Sequence, residues 1–298
     1  MEARALVAGP LAADVLAAAS FRVVAVFRRS LYLQGQGGEL CCLGSMALER
    51  GPINVLCSPW DEASLPAPGD ALRRTGSLLE GHHLRLGLED LRIWSKPACR
   101  AAVPGMAARS LERLREVLSQ EPREGLVRLF VAGWRPVDGD PLLTMALTAV
   151  QQICEGLRSR PAREDGMQKS GAALEAGVTG LLGLGPGLTP SGDDFLGGLL
   201  VALHRIGMPE TALRLSGTIG RNAAGLTHLI SRAHLAAAAR GLGAEGLHTF
   251  IEALLAGADP DMARIDHIGH SSGWDAVTGV CLALEQNRFW REPVQDAE

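Results

Sequence analysis

The chain has 298 residues, of which 47% are hydrophobic and 4% aromatic, and its formal net charge is −4. This length suggests one large or two ordinary domains with a sizeable core. The mildly acidic balance gives no support for a surface that binds nucleic acid. No stretch reaches the roughly 20 apolar residues of a membrane span. Residues 1–20 lack the pattern of a signal peptide, so we expect a soluble, cytoplasmic protein.

The six cysteines show no spacing that is typical of a metal site. They are Cys41, Cys42, Cys57, Cys99, Cys154 and Cys281. No C-x-x-C pair occurs among them. We therefore interpret them as small buried hydrophobes in a reducing compartment.

The first part of the chain predicts a β structure. Short runs bounded by glycine, proline or charged residues lie at 22–27, 30–33, 40–44, 53–56, 75–81, 83–86 and 91–94. Several short strands at close spacing are typical of a small barrel or sandwich. An amphipathic helix is predicted over 106–120, one more strand within 125–134, and a helix over 141–158.

The part after about residue 170 is predicted to be almost wholly helical. We expect a loop over 158–169 and helices near 170–176, 193–206, 209–220, 226–240, 244–256 and 274–288. The predicted fold class is therefore α+β. A β-rich, barrel or sandwich-like domain (residues 1–135) precedes an all-helical domain (residues 136–298).

Residues 183–194, GLGPGLTPSGDD, join a glycine-rich loop to a helix start, and two interpretations are open. In the first, Ser191 caps the helix while Asp193 and Asp194 complement the positive end of its dipole. In the second, the loop and the helix start bind a phosphate or carboxylate, or the two aspartates hold a hard cation such as Mg²⁺. The candidate anion-binding residues are Gly185, Gly187, Thr189, Ser191 and Gly192.

A second copy of this pattern follows near the end of the chain. Residues 190–203 and 271–284 share Ser, Gly, Asp, Gly, Ala and Leu at the same offsets. Each copy reads S-G-x-D and has a glycine one turn further into an apolar helix, at Gly198 and Gly279. Chance similarity of two capped helices is one explanation. The other is that Asp194 and Asp275 face one another across a shared site, with Ser272 and Gly273 as further ligand-binding residues.

Two more groups of polar side chains accompany these motifs. Thr227, Ser231 and His234 follow helical spacing and are either a solvated stripe or the wall of a pocket near the S-G-D-D loop. His270 immediately precedes the second S-S-G-W-D run. It is either a structural loop histidine or a general acid or base. The candidate catalytic residues are thus Asp193, Asp194, His270 and Asp275.

The string GLGPGLTPSGDDFLGGLLVAL over residues 183–203 resembles the AllH-type family, which is associated with oxamate carbamoyltransferase. Thr227, Ser231, the run GHSSG over 269–273, and Asp275 agree with that resemblance. The β-rich first half followed by these motifs also fits it. The second copy has Trp274 where the first has Asp193, so the two copies are not equivalent.

The resemblance implies one subunit of a multi-subunit carbamoyltransferase of allantoin, and hence purine, catabolism. Such an enzyme interconverts oxamate plus carbamoyl phosphate with oxalurate plus phosphate. The implied partners are a small anionic substrate and the other subunits, and Mg²⁺ at Asp193 or Asp194 would suit the chemistry. Two further hypotheses remain open. One is a non-catalytic scaffold or regulatory subunit that binds an anion, and the other is a Mg²⁺-dependent hydrolase.

Overall fold

A computed structural model describes residues 1–98, 103, 105–158 and 164–290. The chain divides into two compact units, of which the first comprises Met1–Pro97 and Leu242–Gly246. The second comprises Ala98–Gly241 and Leu247–Glu298. The predicted α+β class is confirmed, because the strands lie before residue 94 and the later elements are helices.

The first unit is a β-barrel with a short helix between its first two strands. Its elements are β1 (Glu2–Ala8), α1 (Pro10–Leu16), β2 (Ser20–Phe27), β3 (Ser30–Gly35), β4 (Leu40–Ser45), β5 (Asn54–Ser58), β6 (Ala71–Thr75), β7 (Leu78–Gly81), β8 (Arg85–Gly87) and β9 (Arg92–Ile93). The strand order is β5-β4-β3-β2-β6-β7-β8-β1-β9. An additional pairing between β1 and β5 closes eight strands into a ring.

The barrel interior is filled by alternate side chains of its strands. In β3 every second residue is buried, and Leu31 and Leu33 are inaccessible to solvent. Leu43, Leu79 and Leu86 from other strands lie in the same core. An eight-stranded barrel is just wide enough for side chains to fill, so the near absence of aromatic residues is compatible with close packing.

The second unit is helical. Its helices are α2 (Met106–Gln120), α3 (Val127–Val131), α4 (Pro141–Leu157), α5 (Glu164–Leu181), α6 (Ser191–Arg205), α7 (Pro209–Leu226), α8 (Leu229–Ala238), α9 (Glu245–Ala256), α10 (Met262–Asp266) and α11 (Ser272–Trp290). None of the helices within the described ranges is both long and apolar enough to cross a membrane.

Two local predictions in this unit are wrong. The strand expected within 125–134 is the helix α3, in which residues 126, 127, 129 and 130 are buried and Arg128 is exposed. That spacing follows the helical period, which a short apolar run does not reveal unambiguously in the sequence. The loop expected over 158–169 is wrong for its second part, because α5 begins at Glu164, and residues 159–163 lie outside the described residues.

The described cysteines, all free, are Cys41, Cys42, Cys57, Cys154 and Cys281. Cys99 lies outside the described residues. Burial raises the pKa of the Cys42 thiol to about 12 and raises that of Cys41 and Cys281 as well. These thiols therefore stay protonated at neutral pH and pack as small hydrophobes.

Helices α6 and α11 pack together through the two glycines of the repeated pattern. A Cβ atom at Gly198 would overlap the carbonyl oxygen of Ala276, and one at Gly279 would overlap that of Phe195. Gly198 and Gly279 occupy equivalent positions in the repeat, as do Phe195 and Ala276. The contact is therefore reciprocal, and it brings the two helix backbones into direct contact.

We predict that Gly198→Ala destabilises the protein and that Gly197→Ala does not. The new methyl group at residue 198 has to displace a backbone, and overpacking of this kind costs about 1–3 kcal/mol or more. At Gly197 the nearest atom to a new Cβ is the Ala238 Cβ, 3.9 Å away. Alanine there should stabilise the helix by about 0.5–1 kcal/mol.

Thermal unfolding of the two variants and the parent protein measures this difference. Equal melting temperatures for Gly197→Ala and Gly198→Ala would contradict the close contact between α6 and α11.

Candidate functional site

The first turns of α6 and α11 bring two carboxyl groups together. Asp194 lies in the first turn of α6, and Asp275 lies in the first turn of α11. The two are close enough that the negative charge of Asp275 raises the pKa of Asp194. The sequence hypothesis of a shared location for these aspartates thus agrees with their placement.

The two copies of the motif interact reciprocally at this point. The Ser272 hydroxyl, from the start of α11, interacts with the Asp194 carboxyl of α6. The Ser191 hydroxyl, from the start of α6, interacts with the Asp275 carboxyl of α11. Ser191 and Ser272 are equivalent in the repeat, so each S-G-x-D segment supplies a hydroxyl to the other's aspartate. Thr189 joins the group, since its Oγ1 lies 3.1 Å from the Ser272 Oγ.

Both carboxyl groups are held away from water. Asp275 has no exposed surface, while Asp194 is half-buried. Burial is the main cause that raises the pKa of Asp194 well above its ordinary value, and burial also raises the pKa of Asp275. Nearby hydroxyl groups act in the opposite direction but do not prevail. The pair therefore retains a proton more readily than two exposed aspartates would.

One oxygen of each carboxyl has no hydrogen-bond partner in the described part of the chain. These atoms are the Oδ2 oxygens of Asp194 and Asp275, and both are buried. Buried polar atoms in folded proteins are nearly always hydrogen-bonded, and an exception requires an explanation. Two such atoms from one interacting pair are the groups of this site whose hydrogen bonds are not satisfied within the described part of the chain.

Asp193 is used differently, although it adjoins Asp194 in the sequence. Its Oδ1 accepts a hydrogen bond from the Gly183 backbone N–H at 3.0 Å. Its Oδ2 accepts hydrogen bonds from the Thr227 hydroxyl and, at 2.6 Å, from the Ser231 hydroxyl. Asp193 is itself buried. Its carboxylate thus fastens the glycine-rich loop and α8 to the start of α6.

The glycine-rich loop has backbone angles that require its glycines. Gly183, Gly185 and Gly187 have φ angles of 74°, 109° and 98°, in the left-handed region that side chains disfavour. Gly183 also lies against the Leu226 carbonyl, and Gly185 lies against Ser191. The tip of the loop, including Gly187, is exposed.

The N–H groups of residues 192–194, in the first turn of α6, are already hydrogen-bonded within the protein. Gly192 donates to the Leu184 carbonyl at 2.9 Å, and Asp193 and Asp194 donate to the Pro190 carbonyl at 2.9 and 3.1 Å. An anion at this helix start would have to compete for these donors. The turn at residues 190–194 therefore supplies fewer free N–H groups than a helix N-terminus usually does.

Sequence reasoning missed a third segment of the site, which is the turn before α3. The Leu126 N–H donates to the Asp275 Oδ1 at 2.6 Å. Gly125, with a φ angle of 87°, lies directly against the same oxygen, where a Cβ would not fit. The only sequence signal for this contact is Gly125 itself, because a backbone donor leaves no trace in the side-chain pattern.

The remaining predicted residues take several different positions. Thr227 ends α7 rather than sharing a helix with Ser231, yet both reach Asp193. Burial lowers the pKa of His234 to about 4, so this ring is neutral. His270 is exposed, 3.8 Å from Glu124. Gly273 packs against the Ile265 carbonyl, as Gly192 packs against that of Leu181.

Trp274 holds the place that Asp193 holds in the first copy of the motif. Its indole N–H donates to the Asp266 Oδ1 at 2.7 Å, and its side chain is buried. Arg123 bonds to the same Asp266 carboxylate at 3.0 Å. Both residues thus connect the start of their helix to the segment before it. Asp193 does so by accepting a hydrogen bond, and Trp274 does so by donating one.

Within the described ranges, no group of three or more His, Cys, Asp and Glu side chains is placed to hold a metal ion. Both oxygens of Asp193 are occupied by protein donors. A cation at this site would therefore take Asp194 and Asp275 as its acidic ligands, rather than the adjacent Asp193 and Asp194.

Residues 181–284 match the family described as oxamate carbamoyltransferase subunit AllH. The predicted resemblance is confirmed over this segment, which runs from the end of α5 into α11 and includes both copies of the motif. No solved structure matches the chain.

We predict that Asp193→Asn destabilises the protein. The amide keeps one acceptor oxygen but presents an N–H₂ group to donors that now contact a carboxylate. Hydrogen bonds to a charged group contribute about 1.5–3 kcal/mol each. Chemical denaturation should therefore show a lower free energy of unfolding at neutral pH, and an unchanged value would contradict the three-donor clamp.

Asp194→Asn should stabilise the protein, and it should do so only above acidic pH. Because the folded-state pKa of Asp194 is raised, the parent protein loses stability as the pH rises from the ordinary value towards the folded-state value. Asparagine removes this loss. The variant should melt at a higher temperature than the parent at pH 7 to 8, and the difference should shrink at pH 3 to 4. The same difference in melting temperature between variant and parent in both pH ranges would refute the raised pKa of Asp194.

Proposed function

We propose that this chain is a subunit of an oxamate carbamoyltransferase and that Asp194 and Asp275 form its acid–base pair. The family match to residues 181–284 supports the first half of the proposal. The observation that carries the second half is the pair of buried Oδ2 atoms without partners in the described chain, both within the matched segment.

The reaction requires a proton acceptor near an amide nitrogen. The nitrogen of oxamate attacks the carbamoyl carbon, and the bond from that carbon to the phosphate oxygen breaks with its electron pair on phosphate. The attacking nitrogen must lose a proton, and a carboxylate of the pair accepts it. In the reverse direction the protonated pair returns this proton to the departing oxamate nitrogen.

The environment of the pair suits this role. A carboxyl group with a raised pKa is a stronger base than an exposed aspartate, and it keeps its proton to a higher pH, so it can also act as the acid. Burial supplies that shift here. The hydroxyls of Ser191, Thr189 and Ser272 keep the two carboxyls oriented, and Asp193 fixes the loop beside them.

We expect Asp194→Asn and Asp275→Asn to reduce carbamoyl transfer by about 10²–10⁴-fold, the usual contribution of a general acid or base. The chain should be assayed together with the other subunits of its complex, by phosphate release from carbamoyl phosphate in the presence of oxamate. Asp138→Asn is the matched control, because Asp138 is an exposed turn residue of the same unit.

Circular dichroism and co-purification with the other subunits establish that the variants are folded and assembled. Full activity in both Asp194→Asn and Asp275→Asn would refute the acid–base assignment and would favour a scaffold subunit. Retained activity in Asp138→Asn alone, with loss in the other two, is the expected result.

A further inference from the structure

The electrostatics of the carboxyl pair restrict the kind of group that can bind there. A phosphate or a second carboxylate would face Asp194 and Asp275, whose own charges already disfavour one another. The N–H groups of residues 192–194 would not compensate, since they already donate to backbone carbonyls. Of the nearby basic groups, Arg123 lies over the Trp274 ring and is bonded to the Asp266 carboxylate, and the exposed His270 lies 3.8 Å from Glu124.

A bare cation is disfavoured for a different reason. Both carboxyls lie at helix N-termini, where aligned peptide dipoles place partial positive charge. Asp193, the remaining acidic group at the turn, already accepts three hydrogen bonds from protein groups. The available acceptors are therefore two buried oxygens at the positive ends of two helices, and this combination favours a neutral group.

The chemistry of the pair fits a group that both donates and accepts hydrogen bonds. When one of two neighbouring carboxyls is protonated and the other is ionised, the first presents an O–H donor and the second presents an acceptor oxygen. A primary amide is complementary to this arrangement, because its N–H₂ donates and its carbonyl oxygen accepts. Such a ligand would satisfy the two orphaned Oδ2 atoms without bringing a charge into the site.

We infer that the Asp194–Asp275 pair binds the primary amide end of the substrate, and that phosphate is bound by groups elsewhere in the assembled enzyme. This inference rests on the proposed function and adds the chemical class that this site selects. The amide end would contact the pair, while the carboxylate of a small acid such as oxamate would point away from it.

Direct binding distinguishes this amide-selective site from a general anion site. Isothermal titration calorimetry on the chain, alone and assembled with its partner subunits, should compare oxamate with monomethyl oxalate and inorganic phosphate in buffer that contains EDTA. Monomethyl oxalate carries the same single negative charge as oxamate but has no N–H. We expect oxamate to bind at least about tenfold more tightly than monomethyl oxalate, which corresponds to one lost hydrogen bond to a buried charged group.

Variants then locate the binding site. Asp275→Ala and Asp194→Ala remove one hydrogen-bonding group of the pair and should weaken oxamate binding by about tenfold or more, whereas Asp138→Ala should leave it unchanged. Phosphate binding by the assembled enzyme should be the same in all three variants. Weaker oxamate binding with unchanged phosphate binding would support the inference, and this result does not depend on turnover.

Several results would overturn the inference. They are equal affinity for oxamate and monomethyl oxalate, oxamate binding that requires Mg²⁺, loss of phosphate binding in the aspartate variants, and no oxamate binding in either form of the protein. The proposed carbamoyltransferase function would survive the first three if phosphate release still depended on the pair. The activity assay therefore tests the proposed function, the binding assay tests the amide inference, and either claim can be refuted without the other.

Discussion

The direct backbone contact between α6 and α11 is the constraint on which the candidate site depends. Gly198 and Gly279 each allow a carbonyl of the other helix to approach where any side chain would block it. Because each contact lies one turn beyond an S-G-x-D segment, close packing here also brings the two helix starts together. Asp194 and Asp275 interact for that reason. The turn before α3 also lies against Asp275, so three segments of the chain form the surroundings of the pair.

Neighbouring aspartates in the first turn of α6 have separate tasks because of helix geometry. Successive residues of an α-helix point about 100° apart. Asp193 points to the glycine-rich loop and to the Thr227 and Ser231 hydroxyls, where all its bonds are to the protein. Asp194 points to α11 and keeps one buried oxygen without a partner in the described chain. One carboxylate therefore maintains the local structure, and the other remains available for chemistry.

The internal repeat combines symmetry with a division of roles. The serine of each copy interacts with the aspartate of the other copy, Ser191 with Asp275 and Ser272 with Asp194. Gly192 and Gly273 each pack against a backbone carbonyl of the segment before their helix. The symmetry ends where Trp274 replaces Asp193. The start of α11 therefore carries one acidic group where α6 carries two, and a buried indole that bonds to Asp266 takes the place of the second.

The sequence by itself determined the α+β class, the order of a β part and a helical part, and the repeated S-G-x-D helix start. Residue types carry those features directly: turn residues at close spacing indicate short strands, and glycine, serine and aspartate mark a helix start. The same information did not distinguish α3 from a strand, because the short, mostly apolar run over residues 126–131 is compatible with both the helical and the strand period. It also did not reveal the ends of α7 and α8, between which Thr227 lies.

Only the tertiary structure decided which aspartate is free and which is occupied. That difference depends on donors from distant parts of the chain, such as the Leu126 N–H on Asp275 and the Ser231 hydroxyl on Asp193. Backbone donors have no side-chain signature, and a hydroxyl acts on a carboxylate only once packing sets their distance. Burial, which raises the pKa of Asp194, likewise depends on how distant segments pack together and cannot be read from one helix alone.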